Sequence, residues 1–96
     1  MLVVVAYDIA ASDGAGRRRL YQVAKICGRW GTAVQHSVYE CEVDAGEYRQ
    51  LKAELEEAIC KSEDSIRIYL LGNRFQSRVV TLGRSKTAGA PERYIL

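Results

Sequence analysis

The chain has 96 residues, with 14 Lys or Arg against 12 Asp or Glu, one His, three Cys and a formal net charge of +2. That length is one domain with a thin core, because a chain this short buries only a little over ~60% of its unfolded surface. No apolar run approaches the ~20 residues that span a bilayer and no basic segment precedes the apolar start as in a signal peptide, so a cytoplasmic protein with no membrane contact is expected.

Charge is unevenly spread. Residues 1–39 carry five basic and two acidic side chains, residues 40–64 three and nine, and residues 72–96 five and one. Basic ends around an acidic middle suit an anionic partner on one face. Cys27, Cys41 and Cys60 are odd in number and widely spaced, which fits neither a disulfide framework nor a zinc pattern, so buried thiols are expected. The single histidine, His36, excludes any site that needs two.

Leu2 to Tyr7 is apolar on both alternating sets, which predicts a central strand covered on both faces, one by the chain's own helices and the other by a second copy. The run ends on Asp8, which with Asp13 makes up all the acidic residues of the first 39. A lone carboxylate at a strand end, facing a basic helix start, marks a cation or phosphate site; the plainer alternative is a carboxylate capping the following loop. Ala10 to Gly16 is a loop in which Ser12 or Asp13 caps the next helix. Leu20, Val23, Ala24 and Cys27 form one helical face, and Gly28 and Gly31 end it. Arg17, Arg18 and Arg19 fall in its first turn, where the helix dipole disfavours cations, a placement better tolerated if they meet an anion than if they form a solvated basic turn.

Thr32 to Val43 is predicted as strand, bent at Gln35-His36-Ser37, with Val34, Val38 and Val43 facing inward. Asp44 with Glu47 has the spacing of a capping box, and Tyr48, Leu51, Leu55 and Ile59 give the second helix its apolar stripe. Lys61 to Asp64 is a turn, and Ser65 to Leu71 a strand with Ile66, Ile68 and Leu70 on one face. After a turn at Gly72 to Ser77, Val79 to Leu82 is expected as a short strand, and residues 83–96 as a flexible segment ending in an interface strand, Tyr94-Ile95-Leu96, that adds to a sheet edge. The order predicts a single α+β domain over 1–96, a ferredoxin-like sandwich with two helices on one face of an antiparallel sheet.

Four segments in register resemble one family, the CRISPR-associated protein 2 family: Val5-Ala6-Tyr7-Asp8-Ile9, Arg17-Arg18-Arg19-Leu20, Val34-Gln35-His36-Ser37-Val38-Tyr39-Glu40 and Asp64-Ser65-Ile66-Arg67-Ile68-Tyr69. The resemblance implies a ferredoxin-like homodimer whose terminal strand, here Tyr94 to Leu96, crosses to the partner's sheet. It implies a role in spacer acquisition in antiviral defence, bridging dimers of the integrase, CRISPR-associated protein 1. In some members it implies a metal-dependent endonuclease acting on single-stranded RNA or double-stranded DNA. Asp8 would then be the catalytic and metal-binding residue, one from each protomer, with Mg²⁺ or Mn²⁺ as the ion. Arg17 or Arg19 is suited to hold phosphate bidentately, with Arg18 beside them, while Ser37 and Tyr7 are placed to contact backbone oxygens. A non-catalytic scaffold of the integration complex and a ribonuclease toxin of the same fold, resembling virulence-associated protein D, are the alternatives.

Overall fold

Val3 and Val5 are fully buried while Val4 and Ala6 are half-exposed, and this alternation orders the architecture. The computed structural model describes residues 1–84: β1 (Leu2–Asp8), α1 (Gly14–Trp30), β2 (Thr32–Gln35), β3 (Val38–Glu42), α2 (Ala45–Ala58), β4 (Ser65–Gly72) and a short 3-10 turn at Gln76–Arg78. The four strands form one sheet in the order β2-β3-β1-β4, every neighbouring pair antiparallel. This is the expected ferredoxin-like α+β arrangement.

The side chains of Val3, Val5, Cys41 and Val43 join Val23, Ile26 and Cys27 of α1 and Leu51 and Leu55 of α2 in a single buried cluster. The helices form because their apolar positions recur on one face, and each has a working N-cap. Asp13 accepts the Gly16 N–H at 2.7 Å, and Asp44 and Glu47 make both bonds of a capping box, at 2.7 and 2.9 Å. Glu54 ties the helices together, accepting from Arg29 Nη2 at 2.8 Å, Trp30 Nε1 at 3.0 Å and Gln50 Nε2 at 3.3 Å.

β1 is central, with the chain's helices over one face and none over the other; several other expectations need correction. Leu2, Val4, Ala6 and Asp8 share that open face with Val38, Glu40 and Glu42 of β3 and with Ser65, Arg67 and Tyr69 of β4. Val38 therefore points away from the helices; the buried residues of that stretch are Cys41 and Val43, and Val34 is half-buried on an edge strand. Leu70 is on the helix side of β4 yet 55% exposed, because β4 is an edge strand and α1 lies over β3 and β2. No strand forms at Val79 to Leu82: no ladder partner meets it among the described residues, and Val80 and Leu82 stay exposed. Cys27 and Cys41 are buried thiols as expected, whereas Cys60 is only half-buried. The terminal strand Tyr94 to Leu96 lies outside the described residues.

Two glycines of α1 and its exit separate packing from propensity. Gly31 is pressed against Cys41 Sγ and the Glu40 carbonyl, leaving no room for a Cβ, whereas Gly28 faces open space. Gly31→Ala is expected to lower the free energy of unfolding by about 1–3 kcal/mol through overpacking. Gly28→Ala is expected to raise it by up to about 1 kcal/mol through helix propensity. Urea denaturation of both variants tests the contrast.

Candidate nucleic-acid and metal site

One end of the sheet gathers most of the residues marked by the sequence. β1 runs toward Asp8, β3 starts beside it just after Ser37, and β4 starts at Ser65, paired with Asp8. The Tyr7 N–H donates to the Ser37 carbonyl at 3.1 Å. α1 follows β1 directly, so its basic start returns to the same end.

Tyr7 and Asp8 are consecutive in a strand and so face opposite ways. Asp8 is exposed on the open face. Tyr7 lies on the helix side, stacked on Tyr39 with ring centroids 6.2 Å apart. Burial pushes the Tyr7 phenol up to about 12, and the neighbouring Tyr39 adds to the rise, so the ring is a neutral packing group near pH 7. Ser37 holds the left-handed backbone (φ 66°) that closes the β2–β3 hairpin, a conformation that costs a non-glycine residue about 1 kcal/mol or more. Tyr39 packs against Tyr7, whereas Tyr69 is 47% exposed on the open face, with its hydroxyl accepting from Arg67 Nη1 at 3.4 Å.

The three arginines separate. Arg17 and Arg18 are exposed and make no ion pair among the described residues. Arg19 turns inward. Its Nε donates to Asp64 Oδ2 at 2.8 Å, and its Nη2 donates to Asp64 Oδ1 and to the Ala10 carbonyl, each at 3.3 Å. A guanidinium so committed is not free to grip phosphate, and the exposed pair is left as the phosphate-facing set. Along α1, Tyr21 and Lys25 continue the line from Arg17 at spacings of four, both exposed. Sequence reasoning did not pick them out, although the spacing was there.

Asp64 is the residue that sequence reasoning missed. Its side chain has no solvent exposure, and besides Arg19 it accepts the Ala10 N–H at 3.0 Å and the Cys60 N–H at 2.8 Å. The Arg19 hydrogen bond, helped by those two amides against the cost of desolvation, holds its carboxyl down to about 2.

Two clefts open among the described residues, of about 630 Å³ and 410 Å³, and neither is lined by Asp8. Asp8 therefore sits on an open surface suited to an extended ligand rather than in a pocket shaped for a small one. The described residues contain no group of three or more His, Cys, Asp or Glu able to hold a metal ion. One chain thus presents no ready-made cage for a metal at Asp8 among the described residues. No helix among the described residues is long and apolar enough to cross a membrane.

Comparison with known proteins points to one family. Residues 1–79 match the family model described as CRISPR associated protein Cas2. The chain is 45% identical over 83 residues to a CRISPR-associated endonuclease Cas2 of Halalkalibacterium halodurans, covering 86% of each chain. It is 40% identical over 92 residues to a CRISPR-associated endoribonuclease Cas2 of Nitratidesulfovibrio vulgaris, covering 96% of this chain and 89% of the relative. Among solved structures, Streptococcus pyogenes Cas2 at pH 6.5 superposes with a TM-score of 0.74 at 48% identity, covering 86% of this chain and all of the other.

The Asp64 carboxyl titrates lower in the folded chain than the ~3.9 of a free aspartate, so its contribution to stability is fully present above about pH 4 and is lost as pH falls toward 2. Asp64→Asn is expected to be less stable than wild type at pH 7 and to lose less stability between about pH 4 and pH 2. Urea midpoints of both proteins across that range provide the check.

Proposed function

The chain belongs to the CRISPR-associated Cas2 family, and on that premise we propose that it acts as a homodimer in CRISPR spacer acquisition, binding nucleic-acid backbone, bridging integrase dimers and cutting phosphodiester bonds with a divalent metal. The observation that carries this reading is Asp8, an exposed carboxylate on the sheet face that the chain's own helices leave uncovered.

That face presents Val4, Ala6 and Val38, all half-exposed, around the carboxylate. A second copy laid against it would bury this apolar surface and bring a second Asp8 toward the first. Two carboxylates brought together without a cation repel, so metal binding and dimer geometry would be coupled. Mg²⁺ or Mn²⁺ is the ion we assign to the pair, and when bound it supplies charge neutralisation at phosphorus and an acidified water. Arg17 and Arg18 then hold the sugar–phosphate backbone from the start of α1, and the Ser37 hydroxyl supplies a polar contact at the hairpin. The Tyr7 hydroxyl, on the helix side of the sheet, serves the site by packing. Nuclease action also accords with the endonuclease and endoribonuclease names borne by the relatives from H. halodurans and N. vulgaris.

Wild type and Asp8→Asn, both confirmed dimeric by light scattering, are to be incubated with labelled single-stranded RNA and duplex DNA in Mg²⁺, Mn²⁺ or chelator. The expected result is cleavage that needs both the metal and Asp8. Cleavage by neither protein, with spacer acquisition intact, would leave the non-catalytic scaffold. Binding should be separable from cutting: Arg17→Ala with Arg18→Ala is expected to lower the slope of log affinity against log salt by about 2 per chain. Asp8→Asn is expected to leave that slope unchanged.

A further inference from the structure

The Asp8 side chain makes no hydrogen bond among the described residues, so its carboxylate is only as well placed as the backbone that carries it. That backbone is held from a distance. Ala10, two residues on, gives its N–H to Asp64 Oδ1 at 3.0 Å and receives Arg19 Nη2 on its carbonyl at 3.3 Å. Both polar groups of one loop residue are thus occupied by a single ion pair. Asp64 also precedes Ser65, the residue paired with Asp8 across the sheet, and its second oxygen takes the Cys60 N–H at 2.8 Å. On the other side of the loop, Gly16 packs so closely on the Ala10 carbonyl that a Cβ would not fit.

We propose that Asp64, acting through Arg19 and Ala10, is a positioning residue that fixes where the Asp8 carboxylate is presented on the open face. This rests on the reading of Asp8 as the metal-holding carboxylate. Burying a charge pair is a poor way to gain stability, since well-packed apolar residues usually serve as well. A pair in which Arg19 holds the Ala10 carbonyl while Asp64 takes the Ala10 and Cys60 N–H groups, however, fixes geometry that apolar contact leaves loose. The pair joins three segments: the loop after β1, the body of α1 and the turn before β4.

The test compares wild type, Asp64→Asn and Arg19→Lys. Lysine keeps the charge opposite Asp64 but loses the fork that reaches Ala10. The readouts are melting temperature, amide hydrogen exchange along β1, Mn²⁺ affinity by calorimetry, and kcat and KM on whichever labelled nucleic acid the wild type cuts. For both variants the expected result is a folded dimer, faster exchange at Ile9, Ala10 and Ala11 with Val3 to Val5 unchanged, and weaker Mn²⁺ binding. The kcat should fall by about 10- to 100-fold while KM holds within about twofold. If Asp64→Asn does not fold, Arg19→Lys decides alone. Lower melting temperature with unchanged local exchange, Mn²⁺ affinity and kcat would overturn the proposal and leave a purely structural tie. Absence of Asp8-dependent cleavage in wild type would overturn the nuclease reading, while exchange and Mn²⁺ affinity would still decide the role of Asp64.

Discussion

The sheet has helices on one side only, and most of what this chain does follows from that. Two helices of 17 and 14 residues, with their stripes of Val23, Ile26, Cys27, Leu51 and Leu55, are enough to cover Val3, Val5 and Cys41. Of the alternate set Leu2 is buried, whereas Val4 and Ala6 stay half-exposed and Asp8 is exposed. In a chain of this size the core that results is small, and the uncovered face is a standing source of free energy for association. Asp8 lies on that face, so the constraint that makes a partner favourable is also the one that places the carboxylate where a partner would meet it.

Charge follows the same division. Of three consecutive arginines, the helix turns one inward and two outward, because successive residues are ~100° apart around the axis. Arg19 neutralises the buried Asp64, and the acidic partner explains why a cation near a helix N-terminus is tolerated: it meets a carboxylate of its own chain. Arg17 and Arg18 have no such partner among the described residues and remain available to an outside anion. One triplet is thus divided between the fold and the surface, and the dipole argument alone could not say which arginine went where.

Legibility in the sequence divides along similar lines. Helix positions and caps were readable because local rules decide them: Asp13 and Asp44 are both N-caps, and the Asp44–Glu47 box is complete. The sheet was legible as a set of strands, but the facing of Val34 and Val38 was not, since a hairpin at His36–Ser37 with an irregular register resets the alternation. An all-apolar β1 records that both faces prefer cover, and this chain's helices supply it on one face only. Asp64 could not be found by pattern, because its partners Ala10 and Arg19 are 54 and 45 residues away. A conspicuous signal was present all the same, an aspartate between a turn and an Ile-rich strand, which only burial turns into evidence.

The site's openness bears on what kind of ligand it serves. A pocket enzyme gains its rate by enclosing a small substrate, and such enclosure is what the two clefts would offer, yet Asp8 lines neither. A polymer does not need enclosure. It can be held along its length by exposed cations such as Arg17, Arg18 and Lys25, with an affinity that depends on salt and little on sequence. Such a surface leaves only one demand on the reacting end, that the carboxylate be held still while the ligand is tethered elsewhere. A side chain with no bonds of its own meets that demand only if its backbone is pinned, and in this fold the pin is the Arg19–Asp64 ion pair, which holds Ala10 two residues downstream.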